Sequence, residues 1–180
     1  ISTSMGAASI DATFVSKVGS GNNSLLANAT TTGYSNAYAL NVGFDMSGAS
    51  VNIATGGSQA EVAGVKNNAA TALEISYPVS DALSVTVGGS SGTIANADED
   101  NVFAAATYTM DADTTLSIGI AQGDNTASNV LDKASSATIN LSRSLGGGVS
   151  VFAEYASVSN DSAGTKSDAT AMTVGTSVSF

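Results

Sequence analysis

Glu74 and Glu154 stand in the alternating segments LEISYP and VFAEYA, each on the polar side of an extended strand. Two carboxylates on one surface can divide general acid and general base work. Nothing here completes such a site. The 180 residues contain no histidine and no cysteine, so neither serine–histidine nor cysteine–histidine catalysis can be assembled. The pair reads as charge on a wet surface, and the chain as no enzyme. Asp98, Glu99 and Asp100, flanked by Asn96 and Asn101, gather oxygen ligands of the kind that hold Ca²⁺ or Mg²⁺ at a surface. They lack EF-hand or nonapeptide spacing, and a solvated acidic loop is the simpler account. The stretch 123–133, GDNTASNVLDK, is similar. Gly88 to Gly92 opens a polar loop with no helix behind it, so it is no phosphate cradle, and no cofactor is called for.

Composition narrows the class. Asp and Glu number 15 against 5 Lys and Arg, a formal charge of −10, which argues against nucleic acid as a partner. Mean hydropathy is +0.18, yet aromatics are 6% and Trp is absent. Large apolar residues are dispersed singly among Ala, Ser, Thr, Gly and Asn, where a soluble core would concentrate them. No apolar run approaches the roughly 20 residues of a membrane-spanning helix. The chain opens at Ile1 without a signal-like segment, which suits either a processed chain or part of something longer.

The elements that must carry these side chains repeat. Segments 40–56, 73–89, 105–123 and 139–155 each hold an alternating strand, a tight turn and a second alternating strand. Phe44, Tyr77, Tyr108 and Arg143 occupy the same place in successive hairpins. Ten strands are expected: 6–17, 36–46, 49–56, 71–79, 83–89, 102–110, 114–121, 136–144, 148–157 and 168–180. Polar segments 18–35, 57–70, 90–101, 122–134 and 158–168 separate the hairpins and read as long loops. Short turns then lie at one end of the strands and long loops at the other, the asymmetry of an outer-membrane barrel with its short turns in the periplasm.

Alternation sorts the side chains onto two faces. Ile10, Leu40, Val42, Leu73, Ile75, Val85, Ile118, Ile139 and Val151 share the apolar one; Asp11, Asp45, Glu74 and Glu154 share the polar one with Asn and Ser. Phe44, Tyr77 and Tyr108 precede short turns on the apolar face, and Phe180 ends the last strand at the same level. Rings at one depth suit a membrane girdle, with Arg143 placed to snorkel. No second apolar layer is in sight to cover the sheet. The expected fold is all-β, an antiparallel up-and-down transmembrane β-barrel, with 1–180 as a single domain. Asp11, Lys17, Asp45, Glu74 and Glu154 are the candidate pore-lining charges; four acids against one base favour cations.

The chain resembles a Gram-negative outer-membrane porin, in particular the Ala/Gly/Ser-rich porins of alphaproteobacteria. The resemblance is carried by the terminal TAMTVGTSVSF and by the hairpins YTMDADTTLSIGIAQGD and SLGGGVSVFAEYASVSN. It implies passive diffusion of small hydrophilic solutes, homotrimers, contact with outer-membrane lipid and lipopolysaccharide, and a C-terminal strand ending in Phe180 that is read by the barrel assembly machinery. Family members have sixteen or eighteen strands, so 180 residues imply the C-terminal portion of a longer porin or a smaller barrel. The competing class is a structural surface protein, an adhesin module or lattice subunit, with a soluble β-sheet.

Overall fold

The computed structural model describes residues 1–15, 34–60, 64, 66–94, 96–127 and 130–179. Its described residues form one antiparallel sheet of eleven strands in chain order. They are β1 (Ser2–Met5), β2 (Ala8–Val15), β3 (Tyr34–Met46), β4 (Ala49–Ala60), β5 (Asn68–Pro78) and β6 (Leu83–Ile94). There follow β7 (Ala97–Thr109), β8 (Thr114–Ala127), β9 (Val130–Gly146), β10 (Val149–Ser162) and β11 (Thr165–Val178).

Local chemistry explains the turns. Ser47 and Gly48 have φ of 52° and 85°, and Ala163 and Gly164 have 50° and 81°. Two left-handed residues in sequence make the two-residue hairpin whose twist matches the flanking strands. Between β7 and β8, the Asp113 amide donates to Asp111 Oδ1 at 2.9 Å, an Asx-type turn. That amide, then the Thr114 hydroxyl, holds the Asp111 carboxyl below its ordinary range, with Arg143 adding to the effect.

Two expectations are corrected. The first expected strand, 6–17, begins instead with a turn at Gly6 and Ala7, preceded by β1, which makes eleven strands. Three of the expected loops are largely strand, since β6–β7, β8–β9 and β10–β11 continue as ladders almost to their tips, and a fourth is shortened by β4 running to Ala60 and β5 starting at Asn68. The Ser, Thr, Asn and Asp of these segments look like loop residues. In a sheet with water on both faces, however, the backbone ladder needs no apolar face to persist. The expected contrast between short-turn and long-loop ends therefore fails for the last three hairpins. Segment 18–33 lies outside the described residues.

The described residues form no conventional core. The buried hydrophobics among the described residues are Ala37, Val51 and Ala97, and no large side chain is fully buried. The sheet has two open edges, β1 and β11. Both are odd-numbered strands of a meander and run the same way, so antiparallel closure between them requires an odd number of intervening strands.

The register sets the tilt. The ladder row through Phe44, Val51 and Ile75 leaves Tyr77 two residues nearer the turn. From Tyr77 through Val85 and Ala106, Tyr108 lies two residues nearer again. From Tyr108 through Leu116 and Leu141, Arg143 repeats the step. These side chains share one depth if the sheet slips one residue per strand. A rise of about 3.4 Å per residue against a strand spacing of about 4.8 Å then gives a tilt of about 35°, within the range of barrels.

Candidate pore wall

Cross-strand partners point to the same face, so the ladders assign every strand residue a side. One face is apolar and uncovered: Leu73, Tyr77, Ile118, Ile139, Leu141 and Tyr155 are all exposed, and Met172 is 75% exposed. Above the level of Phe44, Tyr77 and Tyr108 this face stays free of charge for eight residues on β7, up to Asp100, and for ten residues above Arg143 on β9, up to Lys133. At about 2.8 Å of height per tilted residue, that is an apolar band of roughly 22–28 Å, matching the band of outer-membrane barrels. Its upper rim is a row of charges in register, Asp100, Asp124, Lys133, Asp161 and Lys166.

The opposite face is polar and indented, with hollows of about 310 Å³ beside Asp45 and Asn52 and about 280 Å³ beside Glu99 and Asp132. Register places Asp11, Asp45, Glu74 and Glu154 here, as the alternation suggested. Glu99 and Asp132 join them, both missed because their segments read as loops. The strand bases Lys133, Arg143 and Lys166 all lie on the apolar side, at its rims. Lys17 and Phe180 fall outside the described residues.

Five of the six acids face an asparagine directly across a ladder: Asp11 and Asn41, Glu74 and Asn52, Glu154 and Asn140, and both Glu99 and Asp132 with the Asn125 between them. Asn125 Nδ2 donates to Glu99 Oε1 at 2.9 Å, and Asn140 Nδ2 donates to Glu154 Oε2 at 3.3 Å. An amide can orient a carboxylate without cancelling its charge. Depth differs among the acids. Asp11, Glu74 and Glu154 lie two to four residues above the girdle level, whereas Glu99 and Asp132 lie nine and eleven above it.

Asp98, Glu99 and Asp100 do not gather as a loop would gather them. They are consecutive on β7, so Glu99 turns to the polar face and its neighbours to the other. Asp98 instead accepts from the Thr93 hydroxyl at 2.6 Å and pairs with Lys66 at 3.4 Å, which together hold its carboxyl below the ordinary range. Among the described residues no group of three acids could hold a metal ion.

Comparison with known proteins turns this geometry into a family. The profile of the Gram-negative porin family matches residues 3–163. The chain belongs to the Gram-negative porins. The sheet also superposes on the anion-selective porin from Comamonas acidovorans, with a TM-score of 0.73 and 16% identity, covering 99% of this chain and 57% of that one. A second likeness is to OmpT, an outer membrane protein of Vibrio cholerae, with a TM-score of 0.55 and 14% identity over 95% of this chain and 75% of that chain. At such identities the likeness is one of fold. Among proteins with curated descriptions, none matches the sequence. This porin thus spans little more than half the length of the Comamonas protein. Membership places it in the outer membrane, which speaks against the competing reading of a soluble surface module.

Proposed function

We propose that residues 1–180 form, within a single barrel domain, the wall of a water-filled channel. Small hydrophilic solutes and ions pass through it by passive diffusion, with a modest preference for cations. No bond is made or broken, so no residue is catalytic. The observation that carries the reading is the sorting of charge. Among the described strand residues the polar face carries six acids and no base, while Lys133, Arg143 and Lys166 lie on the apolar side among the acids of its rims. Fixed negative charge along a pore raises the local concentration of cations and repels anions. The Comamonas porin is anion-selective by name, but at 16% identity it lends this chain its fold and no selectivity.

Homotrimers, lipopolysaccharide contact at the charged upper rim, and recognition of the C-terminal strand by the barrel assembly machinery complete the proposal. So does membership of the alphaproteobacterial type, which the Ala/Gly/Ser-rich hairpins favour. The turns preceded by Phe44, Tyr77 and Tyr108 face the periplasm on this reading, because the two widest intervals between strands, Val15 to Tyr34 and Ala60 to Asn68, lie at the opposite end.

The test is a reversal potential in a planar bilayer under a KCl gradient. The channel is expected to favour K⁺, and the triple variant Asp11→Asn, Glu74→Gln, Glu154→Gln to lose most of that preference while still conducting. Chloride preference in the unaltered porin would overturn the cation reading.

A further inference from the structure

A solute class can be read from one ladder row of the polar wall, granted the channel reading above. Asn52, Glu74, Gly88 and Phe103 are successive cross-strand partners from β4 to β7. Phe103 is an aromatic side chain on the polar face, where large rings are otherwise scarce. Its ring does not stand upright into the lumen. A Cβ placed on Gly88 would lie 2.7 Å from both Cε1 and Cζ of Phe103, so the ring lies across β6 in the space that glycine leaves. The ring edge therefore reaches the strand next to Glu74, about 4.8 Å from the Glu74 backbone.

Asn52, on the other flank, leans away. Its Oδ1 would lie 2.9 Å from a Cβ on Gly43, which places the amide over β3. Glu99 and Glu154 each accept a hydrogen bond from their asparagine. Glu74 has no hydrogen-bond or ion-pair partner among the described residues, and it is exposed. An unengaged, exposed carboxylate thus sits beside a half-buried ring on the same face.

That combination discriminates among cations. A small inorganic ion keeps its water and gains only the Coulomb attraction of the carboxylate. An alkylammonium is weakly hydrated, so it can place its charge against Glu74 and its methyl groups on the ring, where the quadrupole attracts them. We propose that Glu74 and Phe103 form a wall subsite for organic cations, amines or quaternary ammonium solutes, on their way through the channel. Asp11 carries an equal charge at nearly the same depth, but its cross-strand partners are Ser2 and Asn41, with no ring.

Reversal potentials with tetramethylammonium chloride opposing KCl give the permeability ratio of the two cations in the intact porin. Glu74→Gln and Phe103→Leu should each lower the tetramethylammonium ratio about two- to fivefold, the worth of an exposed cation–π contact. Phe103→Tyr, which keeps the ring, should leave it near the original value, and Asp11→Asn should change K⁺ over Cl⁻ without changing this ratio. Retained heat-modifiable mobility on a gel checks that each variant is folded. An equal fall with Asp11→Asn, or no change with Phe103→Leu, would overturn the subsite while leaving the channel intact. Absence of conductance in any salt would instead defeat the channel reading, and the subsite with it.

Discussion

At the scale of single residues, the sheet uses glycine to seat aromatic rings. Tyr38 lies over Gly57 on the apolar face, and Phe103 over Gly88 and Phe152 over Gly175 on the polar face; each pair is directly cross-strand. A ring laid flat on the missing side chain covers backbone that would otherwise face solvent, and it keeps the lumen clear. A methyl group at Gly175 would come 2.6 Å from Phe152 Cζ, so the ring must lift. Gly175→Ala should therefore cost about 1–3 kcal/mol, as overpacking does in tight sites. Denaturant unfolding in detergent measures it, with Gly164→Ser at an open turn as a comparison that tests backbone strain alone. Equal stability of Gly175→Ala and the unaltered protein would show the ring to be free. These pairs were not legible in the sequence, because cross-strand neighbours are fixed by register, and register is not written in either strand alone. That Phe103 and Phe152 face away from Tyr108 and Val151 follows from alternation within one strand, but what each ring rests on does not.

At the scale of strands, period-two alternation was legible wherever a strand crosses the apolar band. Leu73, Ile75 and Tyr77 against Glu74 and Ser76 on β5 show why: one face must be greasy, the other wet. Above the band that contrast vanishes. At the start of β7 and the end of β8, above the band, both faces are polar, with Asp98 and Asp100 of β7 on one side and Glu99 and Asn101 on the other. Such stretches carry no periodic signal, which is why they read as loops and why alternation does not point to Glu99 and Asp132. The two faces of one strand nevertheless obey different energetics, and adjacent residues can separate them. Ile120 on β8 lies midway between the girdle level and the charged rim, and it is 59% exposed on the apolar face. Ile120→Arg should destabilise the barrel by about 2–4 kcal/mol, the cost of a cation near the bilayer midplane. Ala121→Arg, one residue along and on the polar face, should fold normally and weaken cation preference. Folding yields into lipid vesicles and bilayer reversal potentials read the two effects; similar losses of folding from both would mean that the faces are misassigned.

At the scale of the molecule, one geometric quantity ties these statements together. The depth of every side chain, from the girdle to the charged rim, follows from a slip of one residue per strand. Without that slip, ladder rows would run level, and the row through Ile10, Val42, Ile53 and Leu73 would leave the apolar band at Gln122 and end on Asp168 in β11. An untilted sheet would therefore drive a carboxylate into the same plane as Ile10. Tilting by one residue per strand lifts Asp168 out of the lipid and brings the end of β11, at Thr176 and Val178, to the level of Ile10 instead. Hydrophobic matching thus favours the angle independently of the aromatic alignment from which it was first read. The strands should lie about 35° from the membrane normal, within the usual span of barrels. Polarised infrared dichroism of the amide bands in oriented bilayers measures this directly. A value between about 30° and 45° supports the depth assigned to each residue. Strands standing within about 15° of the normal would overturn those depths, since Asp168 would then sit only about 11 Å or less above the level of Ile10, inside the apolar band.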